Sequence, residues 1–112
     1  MSKFDECLDQ YRASFKEMGA SFDEDTLKAV AKSLGPSIYN ADSSKVSASD
    51  KEELDRVKNN FLIKKLGLAD GADLDKAIQD VVNKFGSSNR NKYRAVFYYL
   101  LAEKFGKLGN YK

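Results

Sequence analysis

Ser87, Ser88, Asn89, Arg90, Lys92 and Arg94 form the stretch of this chain whose residue types and crowding best suit chemistry. Hydroxyls, an amide and three cations gathered where a helix begins are the ingredients of a phosphate or carboxylate site, because the first N–H groups of a helix lack partners. The same end of a helix carries partial positive charge and prefers Asp or Glu, so the three cations are out of place there. Each misplacement costs a few tenths of a kcal/mol to about 1 kcal/mol, which asks what compensates it. A bound anion is one answer. Pairing with carboxylates elsewhere in the fold, or screening by water, is the other, and it is preferred because it needs no ligand.

The segment also reads as the second half of a helix-turn-helix, with residues 73–85 as the first helix and Gly86-Ser87-Ser88 as the turn. Beyond Arg94 it becomes AVFYYLLA, which leaves little to enter a groove of nucleic acid. Nineteen basic against seventeen acidic residues give a net charge of only +2, so nucleic-acid binding is disfavoured.

The remaining chemistry-bearing residues have simpler accounts. Cys7 is the sole cysteine, and Asp5, Glu6 and Asp9 around it raise a thiol pKa. It is expected to be a packing or spectator residue. The chain has no histidine, which removes imidazole bases and the usual zinc ligand sets. Glu52 with Glu53, and Asp73 with Asp75, sit in first helical turns, where the helix dipole explains them. Gly35, Gly67, Gly86 and Gly106 read as helix C-caps, and none belongs to a phosphate-binding loop pattern. The expectation is therefore no catalytic residue, no metal site, no cofactor and no enzyme. An N-terminus rich in charge and the lone thiol point to the cytoplasm, and no window approaches eighteen consecutive apolar residues, so no membrane span is expected.

The elements that must position these residues are helices. At 112 residues with 42% hydrophobic content, the chain fits one domain over 1–112. Phe4, Leu8, Tyr11, Phe15 and Met18 predict a helix over 2–18, with Ser2 to cap it and Gly19 to end it. Phe22 and Leu27 form a hydrophobic staple at the start of a second helix, 23–34. A polar loop, 36–48, follows, whose length suits either a structured cover on the core through Ile38, Tyr39 and Val46 or a binding surface; the cover is preferred, since isolated apolar residues pin such a loop down. Ser49 and Glu52 make a capping box for a helix over 50–66, with Leu54, Val57, Phe61, Leu62 and Leu66 on its face. A fourth helix spans 73–85. The fifth, 88–105, is the most apolar through Tyr93, Val96, Phe97, Leu100, Leu101 and Phe105, widened by Tyr98 and Tyr99. It is expected to be central, with GKLGNYK beyond it fraying. No run alternates, so no sheet is predicted.

Placing Ser49 on Ser88 aligns the third and fifth helices without gaps, Val57 on Val96, Leu62 on Leu101 and Gly67 on Gly106 among others. That pattern has two readings: two similar helical hairpins plus an N-terminal helix, or the ordinary match of any two capped amphipathic helices.

With GPSIYNADSSKVSASDKEELDRVKNNFLIKKLGL and GSSNRNKYRAVFYYLL in view, the chain resembles a small bacterial family, domain-of-unknown-function family 2853, over nearly its whole length. The resemblance implies a compact, mostly helical cytosolic bacterial protein and brings no activity, cofactor or catalytic residue. Residues 61–85 are faintly similar, through LGL, to the helix-loop-helix of SAP-type nucleic-acid modules. The expectation is an all-α bundle of about five helices that acts as a non-enzymatic binding or protein-interaction module, self-associating through Tyr98 or Tyr99 or meeting a protein partner. The alternative is an anion or nucleic-acid binder using the basic start of the last helix.

Overall fold

The apolar stripe of the N-terminal segment winds into α1 (Lys3–Met18), which buries Leu8, Tyr11 and Phe15 on one face. Gly19 ends it at a φ of 67°, where a side chain would be strained. The Gly19 N–H donates to the Lys16 carbonyl and that of Ala20 to Phe15, the paired bonds of a Schellman cap. This computed structural model describes residues 3–40, 45–46, 50–86 and 92–111, so the expected Ser2 cap lies outside the described residues.

α2 (Glu24–Leu34) starts at Asp23, whose carboxylate accepts from the Thr26 N–H at 3.0 Å. Phe22 before it stacks on Phe15 with ring centroids 4.8 Å apart, and Leu27, Val30 and Ala31 are fully buried. The Asp23 N–H donates to the Tyr99 hydroxyl at 2.8 Å, which fastens the start of α2 to the last helix. A 3-10 turn, Gly35–Tyr39, then buries Ile38.

α3 (Lys51–Arg56) is capped by Asp50, whose side chain accepts from the Glu52 N–H, while Ser49 of the expected capping box lies outside the described residues. The segment expected to continue as α-helix to residue 66 widens instead into a π-helix, Val57–Ile63. The Lys64 and Leu66 N–H groups reach the carbonyls of Asn59 and Phe61, each five residues back. The buried residues explain the wider turn. Val57 and Leu66 stand nine apart with Phe61 and Leu62 midway, a spacing that i→i+5 bonding brings onto one face more readily than i→i+4 bonding does.

α4 (Ala72–Phe85) buries Leu74, Ala77, Ile78, Val81, Val82 and Phe85, and runs antiparallel to α5 (Arg94–Lys104), with Phe85 facing Phe97 and Asp80 paired to Lys104. α5 buries seven of its eleven residues, so it is covered all round, as a helix inside a bundle must be. It packs against α1, α2, α4 and the π segment, and the all-α bundle has the C-terminal helix at its centre. The chain end does not fray through Tyr111. Residues Leu108–Tyr111 form a 3-10 turn against α2 and α5, reached through a Schellman cap at Gly106.

Several expectations are corrected. α5 begins at Arg94, and Lys92 and Tyr93 are not helical, while the expected start at 88 lies outside the described residues. Tyr93 is held extended, with ψ at 133°, because it pairs with Lys45 in an isolated antiparallel bridge, and the Val46 N–H donates to the Lys92 carbonyl at 2.7 Å. That bridge is the extent of β pairing among the described residues. Tyr98 and Tyr99 are not leftover surface. Tyr99 is buried, and Tyr98 stacks on Phe61 at 4.0 Å. The aligned positions Val57 and Val96, and Leu62 and Leu101, share full burial, yet α2 takes α5 as its main partner, so the plan of two matching hairpins is not how α2 packs.

Ile38 and Val46 pin the polar loop, whereas Tyr39 stands 46% exposed. Ile38→Ala should therefore destabilise by about 2–4 kcal/mol. Tyr39→Ala should move the melting temperature by no more than 1–2 degrees or so, the effect of a surface change. Paired thermal melts of the two variants check this.

Candidate functional site

α1 has a second face besides its core stripe. Lys3, Glu6, Cys7 and Gln10 recur at three- and four-residue steps and lie side by side away from Leu8 and Phe15. Across from them stand Ile38 and Tyr39 of the 3-10 turn, and the bridge contributes Lys45 and Tyr93. Together they line a groove of about 350 Å³, within the size range of small-molecule sites. Among the described residues of its lining, the two ammonium groups of Lys3 and Lys45 outnumber the one carboxylate of Glu6. The Lys45 Nζ lies 5.7 Å from the centroid of the Tyr93 ring, a cation–π distance.

Below the groove, Tyr11 packs edge-on to Tyr93 at 5.4 Å. Its hydroxyl is buried and makes no hydrogen bond of ordinary geometry among the described residues, although the Cys7 thiol, a weak partner, is near enough to perturb it. Burial chiefly, with the neighbouring Cys7 adding, drives the Tyr11 pKa far above the usual phenol value. The Cys7 Sγ–H points to the Ile38 carbonyl at 3.8 Å. Burial raises the Cys7 pKa, Tyr11 opposes the rise and Glu6 adds to it, so the group stays a thiol at neutral pH and is a poor nucleophile. Tyr93 is raised as well, first by burial.

The Tyr11 hydroxyl gives a pH test. Its folded pKa lies above the unfolded value of about 10, so stability is fully present below pH 10 and falls as pH rises beyond it. Tyr11→Phe should flatten that alkaline loss in urea titrations. At pH 7 the variant should be equally stable or about 1 kcal/mol more so, since it removes a buried hydroxyl whose partner among the described residues is at most the weak Cys7 thiol.

The sequence-predicted anion residues are placed differently. Ser87, Ser88, Asn89 and Arg90 lie outside the described residues. Lys92 precedes the helix and is only 7% exposed. Arg94 occupies the first turn of α5, where its guanidinium pairs with Glu53 of α3 and donates to the Tyr98 hydroxyl at 3.2 Å. Glu53 also pairs with Arg56 at 3.1 Å. For Arg94, then, the misplaced cation is compensated from within the fold. Lys58 is held between Asp70 and Asp75, at 3.0 and 3.2 Å. Glu53 and Asp75 are thus committed to ion pairs. Among the described residues no group of His, Cys, Asp and Glu is gathered as a metal site, and no helix is long and apolar enough to cross a membrane.

The sequence did not place the groove as a whole. Its local signals are the length of the 36–48 loop, which supplies Ile38, Tyr39 and Lys45, and the polar second stripe at 3, 6, 7 and 10; the Lys45–Tyr93 wall depends on pairing between distant segments.

These features define a small all-α domain, built around a buried C-terminal helix, with a groove at one side whose described lining includes Tyr39, Tyr93, Lys3 and Lys45. The chain belongs to the family described as a protein of unknown function, domain-of-unknown-function family 2853, whose profile matches residues 10–109. No curated protein matches the chain.

Proposed function

We propose that the domain is a non-enzymatic binding module and that the groove between α1, the 3-10 turn and the Lys45–Tyr93 bridge is its ligand site. The observation that carries this reading is Tyr39. It is the large apolar side chain left exposed among the described residues, and it stands at the rim of a cavity of ligand size. A non-catalytic role is supported by the absence of histidine from the sequence and by a Cys7 thiol held protonated. Anion binding through Ser87, Ser88, Asn89, Arg90, Lys92 and Arg94 is the competing reading, and it would require Arg94 to act while engaged by Glu53.

A fragment screen followed by amide and side-chain NMR separates the two. Binding at the groove predicts shifts clustered at Cys7, Tyr39, Lys45 and Tyr93. Hits that leave these unmoved overturn the reading, and shifts at Ser88 to Arg90 on phosphate titration favour its competitor.

A further inference from the structure

The groove's lining selects among ligand classes, and this inference rests on the groove being the binding site. Tyr39 and Tyr93 offer aromatic surface, Tyr39 with its side chain exposed at the rim. Among the described lining residues, Lys3 and Lys45 bring two positive charges and Glu6 one carboxylate, and Gln10 adds an amide able to donate or accept. A cationic ligand would be drawn to the rings and Glu6 but would meet both ammonium groups. A neutral apolar ligand would gain from the rings alone. A flat ring bearing an acid group uses both features, with stacking on tyrosine and charge met by lysine. Lys45 is already over the Tyr93 ring, so its ammonium group and the aromatic surface are presented together.

We infer that the groove takes a small aromatic acid, a planar ring carrying a carboxylate or similar anion. The wall that carries Lys45 and Tyr93 is held by the backbone bond from the Val46 N–H to the Lys92 carbonyl, so the two residues that supply charge and ring start from paired backbones.

Three probes of one shape test the inference on the full chain: 2-naphthoate, neutral 2-naphthylmethanol and the 2-naphthyltrimethylammonium cation, each titrated by NMR at low salt. The expected result is groove shifts with 2-naphthoate bound at least fivefold more tightly than the alcohol, and the cation weakest. Lys45→Gln should remove most of the anion's advantage and leave the alcohol unchanged, while Tyr39→Ala should weaken both. Alcohol or cation binding the groove as well as the naphthoate would overturn the ligand class and leave the site standing. No probe moving the groove resonances would overturn the class too, and the fragment screen then decides whether the site itself falls.

Discussion

Phe97→Ala should lower stability by about 3–5 kcal/mol, the largest effect expected from any single truncation in this domain. Phe97 is fully buried on α5 and faces Phe85 of α4 with ring centroids 6.0 Å apart in a near-parallel stack. The change deletes a ring from the place where the two helices meet, and relaxation can close only part of the space. Domains of this size are stable by roughly 5–15 kcal/mol in total, so the variant would sit near the edge of folding. Urea denaturation should show the midpoint falling steeply with the slope retained. Tyr98→Ala, on the half-buried side of the same helix, should cost clearly less. Equal losses at the two positions would mean that α5 is not the centre of the core.

Breaking the Arg94–Glu53 pair should be the second largest effect. The side chains are only 15% and 12% exposed, so a charge left behind is poorly served by water, although Glu53 keeps Arg56 at 3.1 Å when Arg94 is removed. Removing one member of a buried pair costs about 3–5 kcal/mol, and the residual exposure together with the Arg56 left beside Glu53 places Arg94→Met at the low end, about 3 kcal/mol or less. Glu53→Gln alone should also destabilise. The double variant should recover much of the loss, because no uncompensated charge remains. Arg94→Lys should rescue only partly, since a single ammonium cannot reach Glu53 and the Tyr98 hydroxyl with the guanidinium's planar fork. A thermodynamic cycle over the four proteins measures the coupling, and additive losses would show that the two charges do not depend on each other.

Local pattern made much of the helical plan legible. The stripe of Leu8, Tyr11 and Phe15 and the positive-φ glycines at 19, 35, 67, 86 and 106 are short-range signals, each decided by neighbours within one or two turns. What escaped depends on distant contacts. Tyr93 fits the stripe of the last helix, yet its backbone is claimed by Lys45, 48 positions earlier, and the helix starts one residue later. Val57, Phe61, Leu62 and Leu66 look like an ordinary helical face, and the wider turn shows only when their spacing is read as five-residue steps. Tyr39 reads as one of three isolated apolar residues that pin the polar loop, but Ile38 and Val46 are the two that are buried. The candidate site had the same difficulty. Arg90 and its neighbours attract attention because they are adjacent in sequence, whereas the groove is assembled from α1, a turn and two residues of a bridge.

That assembly ties occupancy to the whole molecule. The lining runs from Lys3 to Tyr93, so its parts meet only when the beginning, middle and late portions of the polypeptide have come together. A compound lodged there recognises the finished fold and not its precursors. Saturation at a hundred times the dissociation constant would then protect the entire domain against unfolding by about 2.7 kcal/mol. Heat resistance that climbs with added compound would report occupancy even where the compound's own identity had never been guessed.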